Sequence, residues 1–253
     1  MGNIISITNQ KGGVGKTTTA INLAASLAAA DKSCLLIDSD PQGNATTGMG
    51  VDRSSLKNGL FKFMVENAQE EEVIKKTAIP GLDFIGATMD LVGAEIEMSD
   101  LEDKEYCLRK KLINLRKRYK YIFIDCPPSL GFLTINALTA ADAILVPLQC
   151  EYYALEGLSQ LLTTVNALKK RLNPNLSLIG ILLTMYDKRN NISQQVAEEV
   201  RSHFKGKVFK TVIPRNVRLS EAPSYGKPIL LYDINCKGAQ SYLALAREMI
   251  KKG

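Results

Sequence analysis

Nine residues near the N-terminus restrict what this chain can fold into more than any others: Gln10-Lys11-Gly12-Gly13-Val14-Gly15-Lys16-Thr17-Thr18. An apolar run, Ile4–Thr8, precedes them, and a helical pattern, Thr17–Ala30, follows. A glycine-rich turn between a strand and a helix lets successive backbone N–H groups curl inward onto an anion, and the helix adds the positive end of its dipole. Lys11 and Lys16 flank the glycines, and clustered lysines repel one another unless an anion lies between them. The string predicts a phosphate-binding loop made by Lys11, Gly12, Gly13, Val14, Gly15, Lys16, Thr17 and Thr18. Lys16 reaches the β- and γ-phosphates of a nucleotide, and the Thr17 hydroxyl ligates Mg²⁺. Gln10 stands where the standard pattern has glycine.

The rest of the chain repeats the same alternation. Candidate strands are Ile4–Thr8, Cys34–Asp38, Leu82–Ile85, Tyr121–Asp125, Ala143–Pro147, Leu178–Thr184 and Val208–Ile213. Several are unbroken apolar runs, the pattern of strands covered on both faces. Helical patterns fill the gaps at Thr17–Ala30, Glu70–Thr77, Met89–Met98, Lys104–Arg118, Leu133–Ala140, Leu155–Arg171, Ser193–Phe204 and Gly238–Lys251. This alternation predicts an α/β fold, a doubly wound, mostly parallel β-sheet with helices on both faces. The 253 residues show no repeat or low-complexity linker, so a single domain over 1–253 is expected.

Two further segments carry carboxylates. Asp38 and Asp40 stand at the end of the second strand in Asp38-Ser39-Asp40-Pro41-Gln42-Gly43-Asn44. Ligands of open α/β sheets bind at that edge, and residues two apart on a strand share a face. Asp-Pro-Gln-Gly also suits a plain turn, but beside a phosphate loop a site is the better reading. Tyr121-Ile122-Phe123-Ile124-Asp125 has the form of a Walker B strand whose terminal Asp125 holds Mg²⁺. The residues themselves make Thr17 and Asp125 metal candidates.

Other chemistries are excluded. The five cysteines form no CxxC pair, which speaks against a disulfide framework or a common zinc site and for a reduced, cytoplasmic setting. The lone histidine, His203, leaves no HExxH metal site. No segment reads as a signal peptide or a bilayer span. Gly2 and Ser6 match a myristoylation pattern, but a strand beginning at residue 3 leaves no free arm to modify. The net charge of +6 permits a nucleic-acid or anionic-membrane partner without requiring one.

The string Lys11-Gly12-Gly13-Val14-Gly15-Lys16-Thr17-Thr18 resembles the deviant P-loop of the ParA/MinD/nitrogenase-iron-protein group, and Asp38–Asn44 resembles its second acidic motif. The resemblance extends over nearly the whole chain. Thr184–Arg189 and the segment Ile213-Pro214-Arg215-Asn216-Val217-Arg218 through Pro228 look like the chromosomal ParA (Soj) type of partition ATPase. It implies ATP and Mg²⁺ as cofactors. It also implies that Lys11 crosses to the nucleotide of a second subunit, giving an ATP-sandwich homodimer. By that resemblance Asp40 would orient the attacking water, Asp38 would support the metal shell as a third metal candidate, and Pro214 and Asn216 would lie along the adenine. Lys11, Lys16 and Asp40 are thus the catalytic candidates.

By the same resemblance the ATP dimer binds double-stranded DNA without sequence preference, is nucleoid-associated, and is stimulated by a ParB-like partner. The chain starts at its first strand, so no sequence-reading N-terminal domain is expected. Non-specific binding needs Lys and Arg on phosphates, and the candidates are Lys188, Arg189, Arg215 and Arg218, with Lys251 and Lys252 at the end. The basic run Arg109–Lys120 reads as a solvated helix face over Leu112, Ile113 and Leu115. One alternative is a MinD-like membrane-surface ATPase, motivated by an apolar stripe at residues 242, 245, 246 and 249 beside terminal lysines. Another is a biosynthetic ligase or iron–sulfur reductase on the same scaffold, for which no second-substrate motif or cluster-ligand set is visible.

Overall fold

The computed structural model describes residues 2–98 and 101–252. Its strands are β1 (Asn3–Ile7), β2 (Cys34–Asp38), β3 (Ile74–Lys76), β4 (Leu82–Ile85), β5 (Tyr121–Asp125), β6 (Ala143–Gln149) and β7 (Ser177–Thr184). The helices are α1 (Lys16–Ala28), α2 (Asn44–Gly48), α3 (Leu60–Met64), α4 (Glu70–Val73), α5 (Ala94–Glu97), α6 (Cys107–Arg118), α7 (Phe132–Ala140), α8 (Ala154–Arg171), α9 (Asn191–His203), α10 (Val217–Glu221), α11 (Ile229–Tyr232) and α12 (Lys237–Lys252). The strands form one sheet in the order β3-β4-β2-β5-β1-β6-β7, parallel except for the edge strand β3. The expected fold class holds.

Side chains alternate across each strand, so one run of sequence feeds two cores. Ile4, Leu35, Ile37, Ile122 and Ile124 face α6, α7 and α8, where Leu108, Leu112, Leu115, Leu138 and Leu158 pack on them. Ile5, Ile7, Leu36, Phe123 and Leu145 face α1 and α12, where Leu23, Leu27, Tyr242 and Leu245 close the other layer. Helix α1 is sandwiched between the sheet and α12, and the hydroxyls of its Thr19 and of Tyr242 lie 3.2 Å apart in hydrogen-bond contact. The stripe of α12 that prompted the membrane alternative, Tyr242, Leu245, Ala246 and Met249, is buried in this core. Among the described residues no helix is long and apolar enough to cross a membrane.

Four expectations change. Val208–Ile213 is not a strand: it meets β7 only at its two ends, through an isolated bridge from Val208 to Ile181 and a bond from Ile213 N–H to Leu183 O at 2.9 Å. The backbone N–H groups of Lys210 and Thr211 donate instead to the Glu248 carboxylate, at 2.8 and 2.9 Å, which draws the segment off the sheet edge. The helix expected over Glu70–Thr77 stops at Val73, and Ile74–Lys76 becomes β3, with Lys76 paired to Asp83 at 2.8 Å. Met89–Met98 splits into a 3₁₀ turn, Met89–Gly93, and α5. Ile113 on α6 is exposed, and Leu108 takes the core position beside Leu112 and Leu115. Gly2 is buried, and its N–H donates to Arg116 O at 2.8 Å, so it is no free arm. His203 lies on the surface at the end of α9.

Candidate functional site

The sheet order places β2, β5 and β1 side by side, and the three motifs leave from their C-terminal ends. The register is direct: Asp125 pairs across to Ile7 on one side and to Asp38 on the other. Two carboxylates 87 positions apart in sequence therefore lie beside the loop that follows β1.

That loop curls through Gly13 (φ +74°) and Gly15 (φ +89°), and Gly15 caps α1 in the left-handed conformation. A side chain in that region is strained, which is why glycine stands there. Polar bonds from distant strands fix the loop from outside. The Asn9 amide donates to Pro147 O at 2.7 Å while its Oδ1 accepts from Lys11 N at 3.0 Å, and the Thr184 hydroxyl donates to Val14 O at 2.8 Å. Lys16 is 7% exposed, and its Nζ donates to Lys11 O at 2.9 Å. Burial pushes the Lys16 ammonium below its ordinary pKa, against the opposing pull of Asp125, Cys126 and Asp40. Lys11 is exposed and points to a different partner, forming an ion pair with Glu151 in the loop after β6.

The acidic residues divide their work. Asp38 is fully buried: Oδ1 accepts from Asp40 N at 3.1 Å, and Oδ2 accepts from both Thr46 N and Thr46 Oγ1 at 2.7 Å. Burial raises its carboxyl to about 6, with the Thr46 bonds holding it down from a higher value. Both of its oxygens are thus engaged in shaping the Asp40 loop. Asp125 is equally buried, and both of its oxygens lack a partner of ordinary hydrogen-bond geometry. Its carboxyl is pushed well up by burial and then by the Asp38 charge, while the Thr17 hydroxyl lies close enough to oppose the rise. A buried carboxylate with free oxygens beside a hydroxyl fits a hard cation such as Mg²⁺. Thr17 and Asp125 would hold it, with Asp38 bracing the neighbouring loop. Burial raises the Cys126 thiol, which makes it an inert neighbour.

A cleft of about 690 Å³ opens above these groups, lined by Gly12, Gly13, Lys16, Thr17, Asp40 and Gln42 among others. An adjoining cavity of about 420 Å³ is lined by Gly15, Thr18, Met185, Pro214, Arg215 and Asn216. The two base-contact candidates therefore share one cavity wall beside the phosphate loop. Asn216 also caps α10 through its side-chain oxygen, at 3.3 Å from Leu219 N.

The basic candidates are not equivalent. Lys188, Arg189 and Arg215 line one open groove together with Lys237, which the sequence did not single out. Arg189 is 90% exposed at its side chain and paired to Asp187 at 3.0 Å. Arg218 is paired with Glu221 at 2.9 Å and Asp233 at 3.6 Å and lies over the Tyr232 ring, so its charge is largely answered within the protein. Lys252 sits over the Phe209 ring at 4.2 Å. Three other residues went unnoticed at the sequence level: Asn9, Thr46 and Arg53. Only the strand-to-helix context of Asn9 and the helix start at Asn44 gave any local hint of them.

A family model described as an AAA domain matches residues 2–178. The sporulation initiation inhibitor protein Soj of Bacillus subtilis (strain 168) is 56% identical over 253 residues, covering 100% of both chains. The chromosome partitioning protein ParA of Myxococcus xanthus (strain DK1622) is 56% identical over 252 residues, covering 100% of this chain and 89% of that protein. Among solved structures, cobyrinic acid a,c-diamide synthase from Mycobacterium smegmatis with bound ADP and magnesium superimposes with a TM-score of 0.86 at 34% identity, covering 99% of this chain and 95% of that one. The two partition proteins are nearer in sequence than that synthase, over the full length of this chain, and the chain belongs to the ParA/Soj family of chromosome-partitioning proteins.

Proposed function

We propose that the chain is a Mg²⁺-dependent ATPase of chromosome partitioning that dimerises on ATP, binds DNA without sequence preference as the dimer, and is reset by hydrolysis. The observation that carries the reading is the register of β1, β5 and β2. It sets a buried carboxylate with free oxygens beside the lysine-bearing loop.

The loop N–H groups and Lys16 bind and orient the triphosphate, and the base fits the cavity walled by Pro214 and Asn216. Mg²⁺, when bound, neutralises charge on the β- and γ-oxygens. Asp40 borders the cleft and positions a water for in-line attack on the γ-phosphate. Lys11 crosses to the partner's nucleotide, for which its pair with Glu151 has to open. Lys188, Arg189, Arg215 and Lys237 in one groove supply phosphate contacts, and two copies of that groove in a dimer make DNA affinity depend steeply on ATP and salt. Among the described residues no arginine lines the 690 Å³ cleft, which favours slow intrinsic turnover and acceleration by a ParB-like partner. The apolar face of α12 lies in the core, so nothing favours the membrane reading.

The test is size-exclusion chromatography and DNA-shift measurement with Mg·ATP. Wild type and Asp40→Ala should elute as dimers and shift plasmid DNA at low salt, with Asp40→Ala remaining bound. Lys11→Ala should stay monomeric, and Arg189→Glu should dimerise without binding DNA. Wild-type protein that stays monomeric and off DNA with ATP would end this reading.

A further inference from the structure

Arg53 belongs to none of the nucleotide motifs, and its position is unusual. It begins the 3₁₀ turn Arg53–Ser55, which Asp52 caps by accepting from Ser54 N at 2.9 Å. No carboxylate pairs with its guanidinium among the described residues. All of its bonds go instead to backbone carbonyls: Nη2 donates to Pro41 O at 2.7 Å, Nη1 to Gln42 O at 2.6 Å and Nε to Ala87 O at 3.3 Å. The side chain lies flat across the Asp40 loop because Gly43 has no Cβ there; one would overlap the guanidinium.

The bond to Pro41 is the informative one. The carbonyl of Pro41 and the N–H of Gln42 are two ends of one peptide group. Gln42 N–H donates to Asp40 Oδ1 at 2.9 Å. A single planar peptide therefore has a cation on its oxygen and the Asp40 carboxylate on its hydrogen. Peptide planarity transmits orientation without slack, so fixing the carbonyl fixes the direction of the N–H and hence of the carboxylate that receives it. The charges also polarise the peptide in the same sense, and each bond strengthens the other. The second oxygen of Asp40 carries no hydrogen bond among the described residues, and the residue borders the cleft. Meanwhile Nε ties the assembly to Ala87 beyond β4, so the loop is braced against the sheet rather than only against itself.

We propose that Arg53 is the positioning residue for Asp40, aiming its carboxylate at the hydrolytic water through the Pro41–Gln42 peptide. This rests on the reading of Asp40 as the water-orienting group. Arg53 touches neither nucleotide nor water in this scheme. Its removal leaves the phosphate loop intact and changes the rate of the chemical step rather than nucleotide binding.

The experiment is single-turnover hydrolysis of ATP by the full chain with Mg²⁺ and DNA, alongside nucleotide affinity. It uses Arg53→Ala, Arg53→Lys, Asp40→Ala and the Arg53→Ala/Asp40→Ala double variant. Arg53→Ala should lower the rate about tenfold or more while nucleotide Kd changes by less than about twofold. Arg53→Lys keeps the charge and a donor for the carbonyl, and it should recover part of the loss. In the Asp40→Ala background, Arg53→Ala should lower the residual rate no further, because the group it acts through is gone.

Equal losses in both backgrounds overturn the proposal, as does a loss that appears only in Kd. A normal rate for Arg53→Ala beside an inactive Asp40→Ala overturns it too, and leaves the role of Asp40 standing. Normal hydrolysis by Asp40→Ala removes both readings together.

Discussion

Thr46→Val tests whether the Asp40 loop is held where the structure places it. The Thr46 hydroxyl has two partners in a fully buried setting: it donates to Asp38 Oδ2 at 2.7 Å and accepts from Ala87 N at 2.9 Å. Valine keeps the branched shape and loses both bonds. Losing a hydrogen bond to a charged group costs roughly 1.5–3 kcal/mol, and stranding the Ala87 N–H adds about 1–3 kcal/mol. The expected destabilisation above about pH 7.5 is therefore roughly 2.5–6 kcal/mol, a large share of a typical domain's stability.

The sign of its pH dependence follows. Asp38 already has its carboxyl raised to about 6 by burial, with the Thr46 bonds opposing the rise. Without the hydroxyl the value goes higher, so the folded variant takes up a proton at a higher pH than the parent. As pH falls through that value, the charge-dependent part of the cost disappears. By about pH 5 only the Ala87 part remains, about 1–3 kcal/mol. The assay is urea unfolding of nucleotide-free, Mg²⁺-free protein across that range, with Thr46→Ser as the control that keeps the hydroxyl. A valine variant within about 1 kcal/mol of the parent, or a serine variant as damaged as valine, would refute the reasoning.

Two other outcomes are expected. The folded pKa values of Asp38, at about 6, and of Asp125 are raised, so the folded state binds more protons than the unfolded chain above about pH 4, and their contribution to stability falls as pH rises, through about pH 6 for Asp38. Nucleotide-free protein should therefore gain stability from these groups, on the order of 3 kcal/mol for Asp38, between about pH 8 and pH 4. Saturating Mg·ATP should flatten the trend, and an unchanged slope in calorimetric scans would count against cation binding at Asp125. Gly180→Ala places a Cβ 2.5 Å from the ring of buried Phe209 and should destabilise by about 1–3 kcal/mol while leaving nucleotide affinity unchanged, as read by thermal unfolding and nucleotide titration.

Much of this protein was legible in its residues. Apolar runs, several of them unbroken, marked six of the seven expected strands and the parallel sheet, because a strand buried on both faces has few polar positions. The nucleotide loop was legible because glycine at Gly13 and Gly15 answers a local demand for positive φ. Elements decided by partners far away were not legible. Val208–Ile213 has the composition of a strand, yet Glu248, more than thirty positions on, captures two of its N–H groups. Ile74–Lys76 continues a helical pattern but finds an open edge beside β4.

The sequence by itself determined which groups meet a phosphate and that they follow a strand, since those needs lie within a few residues of one another. Only the tertiary structure decided that Asp125 stands between Ile7 and Asp38, that Lys11 is paired with Glu151 and Arg218 with Glu221 and Asp233, and that Arg53 reaches the peptide holding Asp40. The physical reason is that strand order and ion pairing depend on how distant segments pack, and no local spacing in the chain records which of its charges will be neutralised by a neighbour.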